Sequence, residues 1–251
     1  MGRTRTTEAI ILKNSRIGEM HKGVVMLTPS EGLLRPIAHG AYSQKGKLRG
    51  TTNFLCTGTA YLYADPVRES LKLTDMDVNS YFSGIREDLT RFYTASLWAE
   101  IILQSYGSGD ATGDVFRLLV AALEVLDFAS PSSASLTSIQ FLWRFLRLSG
   151  LEPDLDVCAI SGEALAADRP IFFSRTDSGF CGPSYAQEHM IAWQPGAAAY
   201  MRHTVLQPFS ESLRVTPPDG AAVRIKRVLY AALQDQLERP IRTLESGSGI
   251  L

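Results

Sequence analysis

The sequence predicts an α+β protein, with a small closed β-barrel over residues 1–78 and an α-helical domain over 79–251 that is interrupted by an irregular excursion at 154–190. Three observations predict it. Short apolar runs of strand length fill roughly the first seventy-five residues without helical periodicity. After Asp77 the apolar residues recur at three- and four-residue spacing. Charge is unevenly spread as well: the first fifty residues carry nine Lys and Arg against three Glu, a net of +6, and the rest carries −7. The overall formal charge of −1 therefore conceals a basic head on an acidic body.

Taken in order, Glu8 to Lys13 is a β-branched apolar run bounded by Thr6-Thr7 and Asn14-Ser15, which reads as a buried strand. Lys22 to Thr28 follows a turn at Gly18, and Leu33 to Ala38 follows the turn Pro29 to Gly32. Phe54 to Tyr63 suits a curved strand in which Gly58 relieves crowding, and Val67 to Thr74 returns after Asp65-Pro66. Five such strands without intervening helices predict an antiparallel barrel of the OB type, the commonest small barrel that handles nucleic acid.

Ile85, Leu89, Phe92, Ala95, Ser96, Ala99, Ile102 and Leu103 then share one helical face, with Asn79-Ser80 as the N-cap region and Gly107 to Gly109 as the stop. Val115 to Leu126 gives a second helix, and Ile139 to Ser149 a third that ends at Gly150 and Pro153. From Asp154 to Tyr185 glycine and proline break the period, leaving one strand-like run at Pro170 to Ser174. Helical spacing returns near Gly196 to Leu206 and most strongly from Ala222 to Leu237, while Glu245 to Gly249 reads as a mobile tail.

An apolar fraction of 45% is that of a folded chain. No apolar run approaches the roughly twenty residues a bilayer span requires, and a signal-peptide core is lacking, so a cytoplasmic protein is expected, nucleoid-associated if it binds DNA. Cys56, Cys158 and Cys181 are odd in number and far apart, which argues against a disulfide framework.

Concentrated cationic charge on a β module attracts a phosphate backbone, the source of most sequence-independent nucleic-acid binding. The candidate contacts are Lys13, Arg16, Lys22, Arg35, His39, Lys45, Lys47 and Arg49, with Tyr42 as the aromatic placed to stack on a base. Lys45, Lys47 and Arg49 lie on the loop Gly40 to Gly50, read as a flexible cationic cover; a solvated surface turn is the competing reading. Cys158-x-x-Ser161 and Cys181-x-x-Ser184 have the spacing of paired zinc knuckles, but serine is a poor zinc ligand. The metal is expected to be absent, with Ile160, Phe172, Phe173 and Phe180 packing in its place and Cys158 and Cys181 as small buried residues. There is no phosphate-binding glycine loop before a helix, no His-Glu-x-x-His and no nucleophile elbow, so no catalytic residue is assigned and the chain is read as a non-enzyme.

In order along the chain, Glu8-Ala9-Ile10-Ile11-Leu12, Ile17-Gly18-Glu19, Val25-Met26-Leu27-Thr28, Glu31-Gly32, Ala38-His39-Gly40-Ala41 and the basic loop Lys45 to Gly50 resemble the N-terminal pattern of the RecO family of bacterial recombination mediators. The run Phe141 to Leu146, leading to Gly150-Leu151-Glu152-Pro153 and Cys158, is similar to the approach to that family's zinc site. Val228-Leu229-Tyr230 with Leu233, then Glu238 to Leu244, is similar to its C-terminal ending. Ser161 and Ser184 depart from the pattern where cysteines stand, as do Met20 and Asn53, at positions usually acidic and proline. The resemblance implies an OB domain, a helical domain with a zinc ribbon in many members, binding of single- and double-stranded DNA, strand annealing, and cooperation with RecR in loading RecA on DNA coated by single-stranded-DNA-binding protein. On this reading Arg144 and Arg147, flanked by Phe141 and Phe145, receive that coating protein's acidic tail. Two rival readings remain: an adaptor whose barrel binds a protein partner, and a hydrolase using Cys158 or Cys181.

Overall fold

The computed structural model describes residues 4–43, 46–65, 70–105, 111–237 and 239–251. By Cα proximity the chain falls into two units, Met1–Asp88 with Trp98–Val120, and Leu89–Leu97 with Ala121–Leu251.

The first unit is built on six strands: β1 (Thr4–Ile17), β2 (His21–Thr28), β3 (Gly32–Leu34), β4 (Ile37–Ala38), β5 (Thr57–Asp65) and β6 (Ser70–Ser80). Five of them close a ring in the order β1-β2-β4-β6-β5, and β3 extends β2 outside it. β1 is long enough to serve two neighbours. Its first half pairs with β5, its second with β2, and an irregularity between Ile11 and Lys13 turns the strand from one partner to the other. One pair, β4 with β6, is parallel, against the expectation of an antiparallel barrel. The reason is parity, because strand directions cannot alternate all the way round a ring with an odd number of members. The expected strand Leu33 to Ala38 is split, with Arg35 and Pro36 between β3 and β4; proline has no N–H for a ladder, but its carbonyl accepts Val24 N–H at 3.0 Å. Gly58 is required where β5 meets β6, since a Cβ there would lie 2.0 Å from the Asp77 carbonyl oxygen. Alternating side chains, among them Ala9, Ile11, Val24, Met26, Leu62 and Met76, fill the interior. The barrel is an OB-fold.

The expected first helix is two helices, α1 (Ser83–Glu87) and α2 (Leu89–Ser105), because Asp88 between them is extended. Asn79 and Ser80 end β6 rather than capping a helix; Ser80 Oγ accepts the N–H of Phe82, itself left-handed at φ 47. The expected stop at Gly107 to Gly109 and the Pro66 turn lie outside the described residues.

In the second unit α3 (Thr112–Leu126) runs on from Ala121, followed by α4 (Pro131–Leu148). Ser130 caps α4, accepting Ser133 N–H at 3.3 Å, with Pro131 in the first turn. Gly150, left-handed at φ 71, closes it: Leu151 N–H reaches back to the Leu146 carbonyl at 2.8 Å. The excursion folds as a three-stranded sheet of β7 (Ile171–Ser174), β8 (Gly179–Cys181) and β9 (Ile191–Trp193), in the order β8-β7-β9. Its filling differs from expectation. Phe173 and Phe180 are core, but Ile160 is exposed, and the aromatic stack is completed by Trp193, 4.7 Å from Phe180, and by Trp143 of α4, 5.9 Å from Trp193. Helices α5 (Pro195–Val205), α6 (Phe209–Ser212), α7 (Ala221–Gln236) and α8 (Arg242–Ser246) follow. The expected mobile tail is ordered instead: Gly247 is buried, its N–H donates to Thr243 O at 2.9 Å, and a Cβ on it would lie 2.8 Å from Tyr93.

Candidate nucleic-acid interface

Antiparallel pairing sets Arg16 of β1 opposite Lys22 of β2, and Lys22 in turn opposite Ala38 of β4. The segment after β4 is tied to the same hairpin by two backbone N–H groups: Gly40 donates to His21 Nδ1 at 3.1 Å and Tyr42 to Met20 O at 3.0 Å. His39 stands edge-on to His21, ring centroids 4.7 Å apart. Tyr42 is 42% exposed, with the Arg16 guanidinium 5.5 Å and the Lys22 ammonium 5.4 Å from its ring centroid. Arg16 is held there by donating to the carbonyls of Gly18 at 3.2 Å and Glu19 at 3.3 Å. Ile17 and Met20 are exposed beside it. An aromatic face framed by fixed cations is suited to stacking an unpaired base while a guanidinium meets the adjoining phosphate.

Lys22 departs from its expected role as a phosphate contact. It is 4% exposed, and its Nζ donates to Thr52 O at 3.3 Å and Asn53 Oδ1 at 3.4 Å, while burial pushes its pKa down. Its place was readable: Lys22 has the strand parity of Val24 and Met26, which point into the core. Asn53, a departure from the family pattern, supplies one of its two acceptors.

The other candidates divide. Lys13, Arg35 and Arg49 are exposed, and their side chains have no partner among the described residues. Lys47 is paired with Asp75 of β6. That hydrogen bond raises the Lys47 pKa and holds the Asp75 carboxyl below its usual range. Lys45 lies outside the described residues. The rest of the loop, expected to be flexible, is a run of turns closed by Ser43 N–H to Gly40 O at 3.0 Å and Arg49 N–H to Gly46 O at 3.0 Å, with Leu48 buried in the barrel core.

In the helical unit the residues expected to receive an acidic tail are engaged within the fold. Phe141 is 0% exposed and stacks on Phe145. Arg144 donates to Thr204 O at 3.0 Å and Gln207 O at 2.9 Å, and to the side chain of Gln140, so its guanidinium is occupied in closing the end of α5. Arg147 faces Glu152 at 3.6 Å.

Cys158 Sγ accepts Ser161 N–H at 3.5 Å. Burial works against ionisation of this thiol, but N–H groups of Ser161, Gly182 and Ile160 and the Ser161 hydroxyl outweigh it and bring the pKa down to about 7. No histidine contributes, contrary to what a thiol hydrolase requires. Burial pushes the Cys181 thiol up, and the neighbouring Cys158 adds to this. The donors do not fit zinc: the four positions hold two cysteines and two serines, and among the described residues no three His, Cys, Asp or Glu are gathered to hold a metal ion.

Two family descriptions match this chain, Recombination protein O N terminal over residues 1–82 and Recombination protein O C terminal over residues 86–245. The chain belongs to the RecO family. Among its relatives, the DNA repair protein RecO of Desulfatibacillum aliphaticivorans is 31% identical over 64% of this chain and 62% of its own length. That of Synechococcus elongatus is 24% identical over 97% of this chain and 94% of its own. The RecO family is one of DNA repair and recombination proteins, whose partners are DNA and the recombination machinery. Among the described residues no helix is long and apolar enough to cross a membrane.

Proposed function

We propose that this RecO chain is a recombination mediator: it binds single- and double-stranded DNA on the barrel, promotes annealing of complementary strands and, with RecR, helps load RecA on DNA coated by single-stranded-DNA-binding protein. What supports this is the exposed Tyr42 ring with Arg16 fixed over it, together with the exposed Lys13, Arg35 and Arg49 of the same barrel, which have no partner among the described residues. The mechanism makes and breaks no bond. Cations neutralise phosphates so that two strands approach without full repulsion, while bases remain open to pair. Lys22 is a positioning residue in this scheme, clamping Thr52 and Asn53 to the hairpin beneath Tyr42. Structural zinc plays no part, and no residue of the helical unit is assigned to the coating protein's tail.

The test is a salt-titrated binding curve for a single-stranded oligonucleotide. Arg16→Ala is expected to flatten the slope of log affinity against log salt by about 0.7, the share of one phosphate on a single strand. Tyr42→Ala is expected to weaken binding by about 1–3 kcal/mol with the slope unchanged, the signature of a lost stack. A wild-type chain without oligonucleotide affinity, or with affinity indifferent to both changes, would favour the adaptor reading.

A further inference from the structure

The turn between β1 and β2 and the residue that follows it are engaged, one after another, with Arg16 and the Tyr42 segment. Gly18 O and Glu19 O accept the Arg16 guanidinium, Met20 O accepts Tyr42 N–H at 3.0 Å, and His21, the first residue of β2, accepts Gly40 N–H on Nδ1 at 3.1 Å. Only the last of these four acceptors belongs to a side chain, so it is the one that a substitution can withdraw. Gly40 is also where the chain pivots: it is left-handed at φ 68, and its carbonyl accepts both the Ser43 N–H at 3.0 Å and the Ser43 hydroxyl at 2.9 Å. Accepting on Nδ1 places the ring proton of a neutral imidazole on Nε2. His39 backs the ring edge-on, 4.7 Å away between centroids.

We propose, resting on the reading of Tyr42 as the stacking platform, that His21 is a positioning residue for single-stranded DNA. By holding Gly40 N–H it fixes the pivot two residues before Tyr42, so that the ring meets a base already set beside the Arg16 guanidinium. Without Nδ1 the segment hangs from Met20 O alone, and the cost of ordering the ring falls on the binding step. His21 acts through the backbone and carries no phosphate in this scheme, which separates it from Arg16: its removal weakens the stack and leaves the electrostatic share of binding where it was.

The experiment measures the affinity of the full chain for an oligothymidylate across a salt series, with circular dichroism on every variant. His21→Leu removes the acceptor and is expected to weaken binding about threefold to tenfold, the scale of one net hydrogen bond, with the salt slope unchanged. His21→Asn is expected to restore binding, because Oδ1 accepts and stands as many bonds from Cα as Nδ1 does. His21→Gln, whose oxygen lies one bond further out, is expected to resemble His21→Leu and replaces it if the leucine variant does not fold. In a Tyr42→Ala background His21→Leu is expected to change affinity no further. Hydrogen exchange at the Gly40 amide reads the tether without DNA: faster in His21→Leu, as in wild type in His21→Asn. An asparagine variant as weak as the leucine one, or losses from His21→Leu and Tyr42→Ala that simply add, would overturn the proposal. A Gly40 amide indifferent to His21→Leu, with Tyr42→Ala still weakening binding, would overturn the positioning role alone. An amide that responds while affinity ignores both His21→Leu and Tyr42→Ala would overturn the stacking reading, and the positioning role with it.

Discussion

Arg91, Arg144 and Arg202 in the helical unit end on backbone carbonyls, whereas Lys13, Arg35 and Arg49 in the barrel end in solvent. Arg91 donates to Ala129 O and Asp127 O, each at 2.7 Å; Arg144 to Thr204 O and Gln207 O; Arg202 to Leu155 O and to Asp156 Oδ1. These guanidiniums staple chain ends that would otherwise leave carbonyls unpaired, and their donors are not available to a polyanion. A cation therefore speaks for nucleic-acid binding only where it is exposed and keeps donors to spare, as Arg16 does beyond its two bonds to the Gly18 and Glu19 carbonyls. By that criterion the exposed Arg16, Lys13, Arg35 and Arg49 meet the requirement and the helical unit's Arg91, Arg144 and Arg202 do not.

The comparison breaks most visibly if the helical unit is loosened without touching the barrel. Phe180→Ala removes the ring that links Phe173 to Trp193 and, with the cavity left behind, is expected to cost about 3–5 kcal/mol in urea unfolding. Next in size, Arg144→Ala leaves the carbonyls of Thr204 and Gln207 without their donor and strips the cation from the Phe209 ring 5.4 Å away. A loss of about 2–3 kcal/mol is expected from these charge-assisted bonds. Oligonucleotide affinity should not move in a folded Arg144→Ala sample; a drop with a flatter salt slope would return Arg144 to the ligand-binding class.

Lys22 is the barrel residue that behaves like the helical unit's arginines, and Lys22→Met sharpens the contrast. Methionine keeps the stem and removes the ammonium, so two bonds from a charged donor are lost but so is the penalty of keeping the charge out of water. The net change is expected to be about 1 kcal/mol. Because burial holds Lys22 below its ordinary 10.5, the unfolded chain binds that proton more tightly, and the residue's contribution to stability rises as pH climbs toward 10.5. Lys47, with a raised pKa, works in the other direction, its contribution being present below 10.5 and lost above it. The difference between wild type and Lys22→Met isolates the first of these: the gap should shift in favour of wild type with increasing pH. The salt slope of DNA binding should stay where it was, since no phosphate contact is removed.

How much of this was legible in the sequence follows the range of the interaction that decides it. Strand alternation is local, so the barrel's strands were readable. The parallel β4–β6 pair was not, because it follows from closing an odd ring and not from any segment's pattern. The ordered tail depends on neighbours far along the chain, as Gly247 against Tyr93 illustrates. In the candidate site, charge density singled out Arg16, whose guanidinium lies 5.5 Å from the Tyr42 ring. Charge density could not separate Arg35 from Lys22, for which parity with Val24 and Met26 was the stronger signal. Arg144 beside two phenylalanines looked like a receptor because the carbonyls that occupy it come from some sixty residues later, beyond the reach of a local reading.

The finest test concerns Lys47, which sits between the two classes: its side chain is 74% exposed, yet it is paired with Asp75. Exposed pairs of this kind are worth little and yield to a competing anion. Asp75→Asn removes the internal competitor, so Lys47 is expected to gain phosphate contact, raising single-strand affinity about twofold to fivefold and steepening the salt slope by up to about 0.7. The pair's own contribution to stability is present above the ordinary carboxylate value of 3.8 and is lost as pH falls through the lowered pKa of Asp75, so at neutral pH wild type and variant differ fully. If the substitution changes neither affinity nor slope, Lys47 lies off the path of the strand, and the interface contracts to the side bearing Arg16 and Tyr42. If affinity falls, Asp75 was holding the loop in its binding shape, and the ion pair is a brace for the site in the way that Lys22 is.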